Sequence, residues 1–276
     1  MSSDGVRLYF RHWKPGNNIR GVVICLHGIQ SHSGWYHYSS ARMATAGYAV
    51  YFPDRRGSGL NGWQRGHADH GLRLLNDVAQ IVRLARRETP ALPVILLGLS
   101  WGGKLAAAFA VRHPDRLDGL VLLYPGLIPF LRPNPLQRLQ LWFARNHDVR
   151  HRLIPIPLND ASLFTDDPKW QNFIDNDPLT LRSVTSGFLN AGLDLDRILR
   201  QPQQRMPPTL LMLAGQDRIV DNTATQQMVE SCSIDHLSVI SCPAAQHTLE
   251  FDSNRAAIFD DLIAWLATCV RSDQSE

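Results

Sequence analysis

Gly98-Leu99-Ser100-Trp101-Gly102 sets a serine between two glycines where one local pattern gives way to another. Val94-Ile95-Leu96-Leu97 before it is a short apolar run, and Gly103 to Ala110 after it is rich in helix formers. The pentapeptide therefore reads as strand, sharp turn and helix, the context in which G-x-S-x-G is a nucleophile elbow. Such a turn holds its serine in a strained backbone conformation with the hydroxyl above the sheet. The residues two before and two after approach each other closely, so Gly98 and Gly102 are the elbow glycines, with no space for a Cβ. The competing reading is an ordinary strand-to-helix turn with Ser100 as its N-cap.

A serine hydroxyl is a weak nucleophile that needs a base, and the base needs an orienting carboxylate. On an elbow of this kind the chain order is serine, acid, histidine. After the apolar run Thr209–Leu213 comes Ala214-Gly215-Gln216-Asp217, which makes Asp217 the acid; Asp221 is the alternative and reads better as the cap of the next helix. After a last strand near Leu237–Ser241 comes Cys242-Pro243-Ala244-Ala245-Gln246-His247, and His247 is the sole histidine beyond that strand. Taken singly it would read as a surface loop histidine. His27-Gly28-Ile29 follows the apolar run Gly21–Leu26, where a turn at Gly28 lets the Ile29 amide face the site. The Ile29 and Trp101 amides then form an oxyanion hole. His27 reads as a hydrogen-bonded loop residue without acid–base work, Asp54 as a brace for the Gly57-Ser58-Gly59 loop, and Ser58 as a poor nucleophile lacking an elbow.

These residues require strands that end on one edge of a sheet. Apolar runs alternate with helical stretches: Val6–Trp13, Gly21–Leu26, helix Tyr38–Ala46, Tyr48–Phe52, a helix carrying Leu72, Leu75, Val78, Val82 and Ala85, the elbow unit, and Leu117–Tyr124. The alternation resumes at Thr209–Leu213, then a helix near Thr223–Ser231, a strand near Leu237–Ser241 and a helix from Asn254 to about Val270. The fold class is α/β, a mostly parallel central sheet with helices on both faces. Residues 125–208 hold many prolines and no comparable strand, so they read as an inserted, mainly helical cap on a core formed by 1–124 and 209–276. The 276 residues, 44% hydrophobic, can bury one large core; a net charge of +3 without runs of one sign gives no reason to expect nucleic acid as a partner. No membrane-spanning stretch or signal-like N-terminus is present, and the four cysteines follow no disulfide or metal spacing. The expected setting is cytoplasmic, with neither a metal nor an organic cofactor.

The motifs resemble the α/β-hydrolase superfamily and, within it, the monoacylglycerol lipase and lysophospholipase branch. The matching pieces are Leu26-His27-Gly28…His32-Ser33-Gly34-Trp35-Tyr36, Asp54…Gly57-Ser58-Gly59, Gly98-Leu99-Ser100-Trp101-Gly102-Gly103, Gly215-Gln216-Asp217-Arg218 and His247. Leu163-Phe164-Thr165 and Asn176-Asp177-Pro178-Leu179 match in the cap. The resemblance implies an α/β-hydrolase fold and a serine hydrolase of carboxylic esters that passes through an acyl-enzyme, with a small-molecule or lipid ester as substrate. Two departures bear on substrate: Trp101 stands where that branch usually has Met, and Arg55-Arg56 where it commonly has a histidine-containing pattern.

Other readings remain open. A large Trp101 side chain favours a carboxylesterase for short or aromatic acyl esters. An amidase resembling an aminopeptidase would want a carboxylate cluster in the cap, for which Asp166, Asp167, Asp175 and Asp177 are the candidates. A non-catalytic ligand-binding protein on a hydrolase fold is a different class, disfavoured by an intact triad. In the cap, Leu136, Leu139 and Phe143 fall at helical spacing, and residues 125–157 carry five arginines against Asp148 alone. That stretch reads either as a weak peripheral membrane contact or as a cap helix with a solvated basic face. The sequence does not set the oligomeric state.

Overall fold

The computed structural model describes residues 4–16, 18–130, 136, 139, 149–201 and 205–271. Its centre is a seven-stranded sheet of order β1-β3-β2-β4-β5-β8-β9. The strands are β1 Phe10–Trp13, β2 Gly21–Leu26, β3 Tyr48–Pro53, β4 Val94–Leu99, β5 Gly119–Leu123, β8 Thr209–Ala214 and β9 Leu237–Cys242. Only β1 pairs antiparallel, on β3; the other neighbours are parallel, as expected from the alternation. β1 is shorter than its sequence pattern, starting at Phe10 rather than Val6.

Each central strand is apolar throughout because it is covered twice. Val22, Ile24 and Leu26 of β2 face one apolar layer, while Val23 and Cys25 face the other. The same period of two runs through Leu96 against Ile95, Leu97 and Leu99 in β4, and through Leu120 and Leu122 against Val121 and Leu123 in β5. The first layer receives α2 (Gly71–Glu88), α3 (Trp101–Arg112) and α5 (Ser186–Leu199); the second receives α1 (His37–Thr45) and α7 (Arg255–Arg271). α3 is buried on nearly every side from Gly102 to Val111, and its one buried charge, Lys104, meets Asp196 of α5 at 2.7 Å.

Between β5 and β8 the chain leaves the sheet. This stretch holds β6 (Leu153–Pro155) and β7 (Ser183–Thr185), a short antiparallel pair apart from the main sheet, together with α4 (Pro168–Asn176) and α5. The pair was not legible in the sequence, since three-residue strands carry too little pattern. The described parts are tied to the core by Leu181 N–H on Gln30 O, Thr185 N–H on Gly66 O and Arg65 Nη2 on Leu179 O. Leu136 and Leu139 are helical and exposed; Arg132, Arg138, Trp142, Phe143, Arg145 and Asp148 lie outside the described residues, and with them most of the suggested membrane-facing helix. Among the described residues no helix is long and apolar enough to cross a membrane, and none of the four cysteines is joined in a disulfide.

Where α3 meets the end of β2, a Cβ on Gly102 would lie 2.0 Å from Leu26 O and 2.6 Å from His27 O, both rigid backbone. On Gly192, inside α5, it would meet nothing nearer than Trp101 Nε1 at 3.9 Å. Gly102→Ala is therefore expected to abolish soluble folded protein or lower its stability by more than ~3 kcal/mol. Gly192→Ala should raise stability by about 0.5–1 kcal/mol, the ordinary gain from replacing a helical glycine. Chemical denaturation of the two variants beside the wild type measures both.

Candidate active site

The chain turns from β4 into α3 at Ser100, whose φ of +51° and ψ of −121° are unusual for a residue with a side chain. Three hydrogen bonds hold it there: Ser100 N–H donates to Leu123 O, and Ser100 O accepts from the amides of Gly103 and Gly126 at 2.8 and 2.7 Å. The surrounding glycines are a consequence of the same turn. A Cβ on Gly98 would lie 2.5 Å from Gly102 O, and one on Gly103 2.6 Å from Pro125 Cβ. The N-cap alternative fails, because the Ser100 side chain makes no hydrogen bond to the helix. Its hydroxyl points elsewhere.

It points at His247. Ser100 Oγ lies 2.9 Å from His247 Nε2, and His247 Nδ1 lies 2.7 Å from Asp217 Oδ2. Asp217 Oδ1 accepts from the amides of Ile219 and Val220, so both carboxylate oxygens are engaged. The network assigns the proton of His247 to Nδ1 and leaves Nε2 to accept from the serine hydroxyl. His247 and Asp217 are almost wholly buried, at 1% and 0% side-chain exposure, so water does not compete for these bonds. The two loops that carry them are laced together by Gly215 N–H on Cys242 O and Gln216 N–H on Ala245 O. Asp221 lies apart from this chain of bonds and caps α6 (Asn222–Glu230) through the Ala224 amide.

Gly28 lies against the serine: a Cβ there would sit 3.3 Å from Ser100 Cβ and 3.7 Å from Ser100 Oγ. Trp101 is the first residue of α3, where an amide has no acceptor within the helix. Neither its amide nor that of Ile29 is used in a hydrogen bond among the described residues. Two free donors beside Ser100 can receive an oxyanion.

The neighbouring loop is fastened from behind. His27 donates from Nδ1 to Gly28 O at 2.8 Å, accepts the Arg55 amide on Nε2 at 2.8 Å and has Ser58 Oγ 3.1 Å from that nitrogen. Burial, helped by the Arg55 cation, pushes its pKa down to about 3, so His27 is a neutral brace. Asp54 receives the amides of Ser33 and Leu60 on its two oxygens, and Ser58 is fully buried, so neither acts on substrate. The Arg55 guanidinium donates to Gly28 O and Ile29 O, both at 3.0 Å, and its central carbon lies over the rings of Trp101 and Phe188, 4.9 and 4.8 Å from their centroids. The sequence marks Arg55 only as a departure; its partner Phe188 is far away in the chain, so no local signal announces the stack.

Several further neighbours were not legible. The Tyr124 ring stands edge-on to His247 at 4.8 Å, and that of Phe164 at 5.9 Å. Phe164 O also accepts the Thr248 amide. Asp177 accepts from Trp35 Nε1 at 2.6 Å and lies 2.8 Å from His32 Nε2; these bonds hold its carboxyl well below the usual range despite burial. Asp167 caps α4 through the Lys169 amide, and Asp166 and Asp175 are exposed. Glu250, three residues after His247, accepts the Tyr38 and Ser39 amides at the start of α1, and burial, against these bonds and Arg255, raises its pKa to about 7. No group of three or more potential ligand side chains able to hold a metal occurs among the described residues.

A family model described as serine aminopeptidase, S33, matches residues 17–254. The chain is 27% identical to the monoacylglycerol lipase of Mycolicibacterium smegmatis, over 96% of this chain and 94% of that one. It is 24% identical to human monoglyceride lipase, over 97% and 89%. A solved structure of a soluble variant of the Saccharomyces cerevisiae monoglyceride lipase with a substrate analogue superposes with a TM-score of 0.86 at 19% identity, covering 98% of this chain and 94% of that one.

Glu250 gives the site a measurable pH signature. Its folded pKa, about 7, lies above the ordinary 4.5, so between those values the folded chain holds a proton that the unfolded chain releases. The contribution is complete below pH 4.5 and is lost as pH rises through about 7. Glu250→Gln keeps a carbonyl oxygen for the Tyr38 and Ser39 amides but does not titrate. The stability of wild type minus variant should therefore fall across that window, by on the order of 2–3 kcal/mol. Denaturation curves at pH 4.5, 6 and 8 test this; a difference independent of pH would refute it.

Proposed function

The chain belongs to the serine aminopeptidase S33 family of α/β-hydrolases, and on that premise we propose that it hydrolyses carboxylic esters through Ser100, His247 and Asp217. The observation that carries the proposal is the continuous chain of hydrogen bonds from Asp217 through His247 to Ser100, beside the free amides of Ile29 and Trp101. Ser100 Oγ attacks the ester carbonyl carbon as its proton passes to His247 Nε2. Asp217 stabilises the imidazolium that results, and the two amides receive the oxyanion. The tetrahedral species collapses with cleavage of the carbon–oxygen bond, and His247 returns its proton to the departing alcohol. Water then attacks the acyl-enzyme, giving a proton to His247; collapse restores Ser100 Oγ–H and releases the acid.

The substrate class we infer is a lipid ester of the monoacylglycerol or lysophospholipid kind, supported by likeness to lipases over nearly the whole chain. Residues 125–208 are proposed as the cap, closing on a core of 1–124 and 209–276. The aminopeptidase-like alternative is disfavoured, because Asp177 and Asp167 are committed to a clamp and a helix cap rather than grouped for a substrate amine. One observation favours a short-chain or aromatic esterase: the Trp101 ring packs on Phe188 at 4.7 Å beside the nucleophile, which narrows the space next to Ser100.

Release of fatty acid from a long-chain monoacylglycerol should be measured beside hydrolysis of a short aryl ester. Wild type is expected to cleave both, and Ser100→Ala to lose at least ~10⁴-fold in kcat on each. Undiminished turnover by Ser100→Ala removes the nucleophile assignment; activity confined to the aryl ester removes the lipase one. Trp101→Met, which keeps the amide and slims the side chain, is expected to raise kcat/KM for long acyl chains over short ones by about tenfold across a series of p-nitrophenyl esters.

A further inference from the structure

The carbonyl of Gly28 and the N–H of Ile29 belong to one trans peptide unit and point in opposite directions. Whatever binds that oxygen therefore aims that N–H. Two donors bind it: His27 Nδ1 at 2.8 Å and Arg55 Nη1 at 3.0 Å. The second arm of the same guanidinium, Nη2, holds the next carbonyl, Ile29 O, at 3.0 Å. Arg55 thus grips the peptide units on both sides of Ile29. The guanidinium carbon lies over the ring of Trp101, the residue that carries the other free amide, and over that of Phe188 of α5.

We propose that Arg55 is a positioning residue for the oxyanion hole: its planar fork fixes and polarises the Ile29 amide, and its stack on Trp101 ties the two donors into one rigid unit. The proposal rests on the reading of Ser100 as nucleophile and of the Ile29 and Trp101 amides as oxyanion donors. Chemistry favours arginine here. Only a guanidinium offers two parallel donors to adjacent carbonyls while laying a flat face on an aromatic ring. A donor on a peptide oxygen strengthens the N–H at the other end of that unit. Burial lowers the pKa of Arg55 to about 9, which leaves it a cation at neutral pH, and among the described residues its Nε has no partner. The positive charge therefore sits behind the amide that must meet a developing negative charge, shielded from water.

The test begins with a fluorophosphonate label on the wild type, located by mass spectrometry. Label on Ser100 upholds the reading beneath the proposal; its absence there overturns both. Arg55→Met, which keeps an apolar stem against the two rings, and Arg55→Lys, which can reach only one carbonyl, are then assayed on p-nitrophenyl butyrate and with an arylboronic acid that mimics the tetrahedral intermediate. Their thermal melts are recorded alongside. Arg55→Met is expected to lose about 30–100-fold in kcat with KM within threefold, somewhat less than removal of a whole oxyanion donor, and boronate affinity should fall in parallel with kcat/KM. Arg55→Lys should lose about tenfold by the same pattern. A folded Arg55→Met with kcat within threefold of wild type overturns the proposal, as does a rise in KM alone with boronate affinity unchanged, the signature of a simple pocket wall. If Arg55→Met does not fold, Arg55→Lys decides by the same comparison: a parallel fall in kcat and boronate affinity supports the proposal, and wild-type values of both overturn it.

Discussion

Helix α3 comes close enough to the end of β2 that a single methyl group does not fit between them, and the site is built around that contact. The contact forces glycine at position 102 and lets the turn at Ser100 be tight. Tightness gives Ser100 its positive φ, which the three backbone bonds to Leu123, Gly103 and Gly126 then over-determine. A strained residue persists only where its surroundings leave it no alternative. Here the surroundings are a helix buried between sheet and α5 and two adjacent central strands, none of which can move without disturbing both apolar layers. The exposure of the serine hydroxyl to His247 follows from packing, before any chemistry is considered.

A second level of organisation lies in the loops after β2 and β3, where buried polar groups satisfy one another. Neutral His27, ionised Asp54 and cationic Arg55 share a small volume with little water, so each bond among them acts in a low dielectric. The bonds run from one loop to the other: Asp54 takes the Ser33 amide, His27 takes the Arg55 amide, and Arg55 returns two donors to Gly28 and Ile29. Removing any member strands a buried partner. The loop that carries the Ile29 amide therefore owes its shape to the loop after β3 more than to its own sequence.

That arrangement explains what was legible beforehand. The sheet was, because strands buried on both faces must be continuously apolar and parallel ones need helices between them. The three residues now found in hydrogen-bond contact were also readable, since the elbow, the Gly-x-Asp turn and the last histidine each follow a strand whose position the alternation had set. The clamp on the segment between β5 and β8 was not. Asp177 joins His32 across 145 residues, and nothing in Asn176-Asp177-Pro178-Leu179 signals a partner so far off. Glu250 is a similar case: a carboxylate in a short loop reads as solvated until α1 is seen to start on it. Long-range polar contacts leave no periodicity, and periodicity is what a single sequence displays.

A backbone amide is placed by the main chain while the side chain of the same residue packs independently of it, so the two can serve separate ends. Trp101 joins them. Its amide is placed by α3 and does not depend on its side chain, whereas its ring packs on Phe188 and lies against the guanidinium behind Ile29. A smaller residue at 101 takes away the ring on which Phe188 packs and, with it, one of the two aromatic contacts of Arg55. The two departures at 55 and 101 are thus one feature, an aromatic ring and the cation that lies on it, and a change of side chain at 101 alters how firmly Arg55 holds the peptide units on both sides of Ile29.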